Sequence, residues 1–175
     1  MTNSCNPANL RSMVREISAG GVVIRKLAGA WWMAAVELPS DFTRGARGAR
    51  RPTEAKPVLT LPKGLIDSGE KAAETALREV HEETGVIAEI ISKLGDSKYV
   101  YTRTWSDGER VFKIVSFYLM RYRSGRINQI AEEMRVEVAR ARWIRLDEAE
   151  KLLAYKGEKQ MVRRALEYVE SRGEV

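Results

Sequence analysis

Cysteine and histidine are almost absent from the 175 residues, with one of each, Cys5 and His81. A lone cysteine excludes an internal disulfide framework, which fits a reducing cytoplasmic compartment. With a single histidine in the chain, a cysteine–histidine nucleophile is not expected. No apolar run reaches the roughly 18 residues of a membrane span. The first residues, MTNSCNPANLRSMVRE, lack the apolar stretch of a secretory signal. No internal repeat and no appended DNA-binding segment is visible, so a stable nucleic-acid partner is not expected, and nothing in the chain bears on its oligomeric state.

What is present suffices for one ordinary domain: 44% of residues are hydrophobic, enough for a sizeable core at this length. We read 1–14 as a tail and 15–175 as a single domain. The net charge of +6 favours anionic partners. Much of the positive charge falls in 39–57, where Arg44, Arg47, Arg50, Arg51 and Lys56 stand among Gly, Ala and Pro. That composition predicts an Arg-rich insertion loop, either simply solvated or, through Arg44 and Arg47, clasping a polyphosphate.

The most informative stretch runs from Gly64 to Val86. Its spacing is Gly, five residues, Glu, seven residues, Arg-Glu, an aliphatic, any residue, Glu-Glu, any residue, Gly, an aliphatic. Glu70 to Thr84 is rich in Ala, Glu, Leu and Lys, free of Pro and Gly, and closed by Gly85, which predicts a helix. Ala73, Ala76, Leu77, Val80 and Thr84 form its core stripe. Glu79, Glu82 and Glu83 then share a neighbouring face, where like charges three and four apart repel unless a cation answers them. Hard divalent cations take oxygen ligands from a few carboxylates and from substrate phosphates. A solvated acidic face paired with Arg78 and Lys71 would leave the rest of the spacing unexplained. His81 projects away from the glutamate face.

This pattern resembles the signature of the Nudix hydrolases, and every specified position is filled. The resemblance implies an α/β fold, an α/β/α sandwich with a mixed central sheet, the box helix on one side and C-terminal helices on the other. It implies Mg2+, or Mn2+, and hydrolysis of a nucleoside diphosphate linked to another group. Glu79, Glu82 and Glu83 become the metal-binding and catalytic carboxylates, with Gly64 counted among the metal positions. Arg78 would pair with Glu70 and tie the loop to the helix, and Gly85 would close it. A further metal-binding glutamate in the loop before the Trp143 strand points to Glu137, with Glu132 and Glu133 as substitutes. Leu61-Pro62-Lys63-Gly64 is similar to bacterial diadenosine tetraphosphate hydrolase-like members, which makes Lys63 a candidate substrate residue. A tyrosine soon after the box adds Tyr101, as a base-stacking group or as an edge-strand residue.

The remaining chain reads as strands at Ile17–Lys26, Trp31–Leu38, Val58–Leu61, Val86–Leu94, Ser97–Trp105, Arg110–Arg123 and Ala141–Leu146. Gly20-Gly21 marks a bulge or a close backbone approach. Helices are expected at Glu148–Ala154, capped by Asp147, and at Lys159–Ser171, with Met161, Ala165, Leu166 and Val169 buried. A nucleotide-type small molecule is the expected partner, with a dinucleoside polyphosphate foremost. Oxidised nucleoside triphosphates, ADP-ribose and RNA 5′ ends are alternative substrates, and a nucleotide-binding regulatory module is the alternative without turnover.

Overall fold

The computed structural model describes residues 13–39, 57–103 and 108–173. Among them the chain forms strands β1 (Val14–Leu27), β2 (Ala30–Glu37), β3 (Leu59–Thr60) and β4 (Lys63–Leu65), then helix α1 (Ala72–Thr84). Strands β5 (Val86–Thr102), β6 (Arg110–Gly125) and β7 (Arg140–Arg145) follow, then helices α2 (Leu146–Leu152) and α3 (Lys156–Arg172). The strands make one mixed sheet in the order β3-β2-β1-β6-β5, with β4 paired to β1 and β7 to β2. Its centre is the parallel pair of β1 and β6, in register from Val14 opposite Val111 to Ile24 opposite Arg121.

Both faces of these central strands are apolar because helices cover each side. On one face Ala76 and Val80 of α1 pack with Ala19, Val23 and Met120. On the other Met161, Val162, Ala165 and Val169 of α3 pack with Val22, Val115, Phe117 and Leu119. The architecture is the expected α/β/α sandwich. Fully burying a side chain the size of Val80 is worth about 1.5–3 kcal/mol. No described helix is long and apolar enough to cross a membrane.

Several local expectations change. Helix α1 begins at Ala72 rather than Glu70, because the Glu70 amide donates to the Asp67 carbonyl in a turn. Thr75, Glu79 and Glu83 join Ala76, Val80 and Thr84 in the buried set, while Ala73 and Leu77 are half-buried. The two strands expected after α1 are one, β5, because bulges between Ile87 and Gly95 shift its register without breaking the pairing. Asp147 does not cap α2: it lies inside the first turn and its carboxylate accepts hydrogen bonds from Arg145. Helix α3 starts three residues early and so includes a buried Glu158. The loop after β6 contains a 3-10 turn at Glu132–Val136. At Gly20 the backbone approach is close, since a Cβ there would lie 2.3 Å from the Pro62 carbonyl oxygen.

Gly85 ends α1 in the left-handed region, with φ of 77°, and its amide donates to the His81 carbonyl at 2.7 Å. A Cβ there would meet the carbonyl oxygens of Arg126 and Gln129 at 2.6 Å. The left-handed conformation alone costs a non-glycine residue about 1–3 kcal/mol. Gly85→Ala is therefore expected to destabilise the fold by at least about 2 kcal/mol, read as a lower midpoint in urea unfolding.

Candidate active site

The box glutamates are not a solvated face. Glu79 and Glu83 are each only 6% exposed, whereas His81 is exposed and Glu82 half-exposed. Their depth follows from helical spacing: one α1 stripe packs on β1, and the adjoining stripe is roofed by the turn into β4. The Glu79 carboxylate lies against Gly64, where an added Cβ would stand 2.1 Å from Oε1. Only a residue without a side chain admits it. The Lys63 amide donates to Glu83 Oε2 at 2.9 Å.

Arg78 answers the neighbouring charges. Its Nη1 donates to Glu79 Oε1 at 2.7 Å and to Glu82 Oε2 at 3.1 Å. Its Nε and Nη2 reach the two oxygens of Glu70 at 3.0 and 2.9 Å, and Nη2 also meets the Leu65 carbonyl. Glu70 accepts from the Thr75 hydroxyl as well. One guanidinium fork thereby ties the loop to the helix. Those hydrogen bonds hold the Glu70 carboxyl well below its ordinary range.

Burial has the opposite effect deeper in. It pushes the Glu79 carboxyl up against the pull of Arg78, with the charges of Glu82 and Glu137 adding to the rise. It pushes Glu83 up to about 8, although Lys63 opposes it, and Glu79 and Glu137 again add to it. Glu137, just past the 3-10 turn, is exposed yet projects its charge onto both buried carboxylates.

Among the described residues no three acidic or histidine side chains already stand in metal-binding geometry. The donor set nevertheless fits a hard divalent cation: buried carboxylate oxygens, short of positive charge, with a backbone turn at Gly64 alongside. Glu79, Glu82 and Glu83 would hold it, with Glu137 facing them.

The substrate candidates are distributed differently. Arg44 and Arg47 lie outside the described residues. The Lys63 ammonium donates to Thr60 Oγ1 at 2.9 Å and pairs with Glu158 Oε1 at 3.2 Å, so it is engaged on the α3 side. Burial works to lower its pKa, and Glu158 and Glu83 outweigh that and raise it. Tyr101 donates its hydroxyl to Glu16 Oε2 at 2.9 Å, in a cluster with Arg103 and Lys113. Tyr99 shares its face of β5 and is 41% exposed. Tyr155, at the start of α3, is 48% exposed, with its ring 6.0 Å from Lys63 Nζ. Tyr155 escapes the sequence reading because it sits between two helices. Its one signal there is an aromatic residue at the edge of a helix start.

The raised Glu83 value has a measurable sign. Between the ordinary 4.5 and about 8 the native state holds a proton that the unfolded chain has released. Stability contributed by this group therefore falls as pH rises through that window. Cation binding requires the carboxylate and so expels the proton below about pH 8. The metal-free protein is expected to lose thermal stability from pH 5 to pH 8, and the rise in Tm on adding Mg2+ to grow across the same range. Differential scanning fluorimetry at graded pH, with and without Mg2+, checks both.

Comparison with known proteins gives this geometry its lineage. The family model of the NUDIX domain matches residues 43–165. A Mycobacterium tuberculosis protein named MutT4, a mutator-protein candidate, is 36% identical over 157 residues, or 90% of this chain. The chain spans 57% of that relative's length. Among solved structures, a Caenorhabditis elegans Ap4A hydrolase binary complex superposes with a TM-score of 0.62 at 23% identity, covering 89% of this chain and 98% of that one. A MutT protein from Methanosarcina mazei Go1 gives 0.60 at 16% identity, covering 90% and 97%. The filled box, the carboxylates it buries and the family match over most of the chain agree: the chain belongs to the Nudix family.

Proposed function

We propose that this Nudix domain is a hydrolase that uses Mg2+ or Mn2+ to cleave a phosphoanhydride bond in a nucleoside diphosphate linked to a further group. A dinucleoside polyphosphate such as diadenosine tetraphosphate is the favoured substrate. One observation carries the reading. Lys63 holds Glu83 with its backbone amide while its side chain lies under Tyr155, so the carboxylate cluster and an exposed aromatic patch meet at a single residue.

Tyr99 and Tyr155 offer stacking faces for a nucleobase, and the basic balance of the chain draws in polyphosphate. Tyr101 and Lys63 border the patch and, being already hydrogen-bonded, fix its shape. A bound cation supplies charge neutralisation on the phosphates and a water of lowered pKa. Glu79, Glu82 and Glu83 contribute the oxygen ligands. An ordinary glutamate is a weak base, so proton removal from the attacking water relies on the acidification that the cation supplies. Arg78 keeps Glu79 and Glu82 aimed. The 36% identity to a MutT4 favours a second substrate class, oxidised nucleoside triphosphates.

Chromatographic product analysis with Mg2+ decides between them, offering diadenosine tetraphosphate, 8-oxo-dGTP, ADP-ribose and triphosphorylated RNA in parallel. ATP plus AMP forming fastest from diadenosine tetraphosphate is the expected outcome, and a faster release of pyrophosphate from 8-oxo-dGTP moves the assignment to the second class. Glu82→Gln and Glu83→Gln are expected to lower kcat by orders of magnitude with the fold intact. Base stacking on an aromatic side chain is worth about 1–3 kcal/mol, so Tyr155→Ala is expected to raise KM about tenfold in steady-state assays.

A further inference from the structure

Glu158 is the carboxylate that the box does not account for. It lies on α3, on the opposite face of the sheet from α1, and is only 2% exposed. Thr60 Oγ1 donates to its Oε1 at 2.6 Å, the Leu61 amide donates to its Oε2 at 3.1 Å, and Lys63 Nζ pairs with Oε1 at 3.2 Å. The grip therefore falls on three of four consecutive residues, Thr60 to Lys63. Helix α3 has no need of it for cohesion, since Met161, Val162, Ala165 and Val169 already bury its apolar stripe. A buried carboxylate with ionic partners is a poor stabiliser compared with an apolar side chain of the same size. Its burial is better explained by what it holds.

The segment it holds reaches the box carboxylates from the other side. The Lys63 amide orients Glu83 at 2.9 Å, the Pro62 carbonyl accepts from the Gly21 amide of β1 at 3.2 Å, and the next residue, Gly64, makes room for Glu79. The Lys63 ammonium completes the link, donating to Thr60 Oγ1 and pairing with Glu158. A shift of this segment would move the amide that aims Glu83. We propose that Glu158 is a positioning residue for the carboxylate site: acting through Lys63, it sets the turn that fixes Glu83 and thereby tunes how tightly the site holds a divalent cation. The effect on turnover rests on the hydrolase reading above, whereas the effect on cation affinity does not.

The test measures Mn2+ affinity by electron paramagnetic resonance on the full chain, alongside Tm, kcat and KM. It compares the unaltered protein with Glu158→Gln, Lys63→Met and the double variant. Loss of a partner that orients a metal ligand typically weakens metal binding about 10- to 100-fold. Glu158→Gln, which keeps the size of the side chain but replaces one accepting oxygen with an NH2 that cannot accept from the segment, is expected to weaken Mn2+ by about tenfold in the folded protein, with some fall in Tm from the lost ion pair. It should also lower kcat more than it raises KM. Lys63→Met should reproduce that loss, and the double variant should bind no worse than the weaker single, as residues acting in one chain do. If Glu158→Gln does not fold, Lys63→Met carries the test. Unaltered Mn2+ affinity in the folded variant, or additive losses in the double, overturns the proposal. A parent protein that binds Mn2+ tightly but cleaves none of the substrates removes the hydrolase reading and leaves the positioning role to be judged on affinity. A parent protein that binds no Mn2+ overturns both.

Discussion

Two carboxylates withdrawn from water on a single helix constrain nearly everything around them. Placing Glu79 and Glu83 on the buried side of α1 brings negative charge where solvent cannot answer it, and the structure supplies compensation from three directions. The Arg78 fork reaches Glu79 and carries the same guanidinium on to Glu70. A backbone amide, at Lys63, reaches Glu83. A missing side chain, at Gly64, gives the Glu79 carboxylate its space. These compensations are partial, as the upward displacement of both groups shows, and the remaining deficit of positive charge is what suits the site to a metal ion.

The sandwich divides the work between its layers. The α1 side carries the box carboxylates, and away from them lie the exposed rings of Tyr99 on β5 and Tyr155 at the start of α3, with the ion cluster of Glu16, Arg103 and Lys113 on the sheet. The short run from Thr60 to Gly64 passes between them: the Lys63 amide serves Glu83 on α1, while the Leu61 amide and the Lys63 ammonium serve Glu158 on α3. A residue in such a position cannot be assigned to one function from its type alone. Lys63 reads as a candidate substrate residue, and its ammonium is paired with a carboxylate from the far helix.

Sequence patterning reveals what local rules control. Helix α1, its closing glycine and the two-faced central strands all follow from composition and period. Features set by distant partners were not legible. Glu158 falls just ahead of the helix that the pattern predicts and looks like any solvated glutamate, because its burial is decided by Thr60 and Leu61, far away in the chain. Tyr99 and Tyr101 have the same spacing signature, and only the tertiary neighbour Glu16 makes one a hydrogen-bond donor in a cluster while the other stays open. The bulges of β5 break the alternation that would have marked it as one strand. Asp147 satisfied the rule for a cap, but Arg145 beside it offered a charged partner instead.

The parallel pairing of β1 with β6 also governs how the molecule comes to exist. Val14 lies opposite Val111, so the first strand must wait for the box helix and β5 to be synthesised before its second neighbour is available. Pairings of such long sequence separation are slow to form, because loop closure has to precede any reward from contact. Val22, Val23 and Ile24, fully buried in the finished sheet, have their complete surroundings only once β6 is in place, and apolar strand residues left unpaired are the kind of surface through which chains associate.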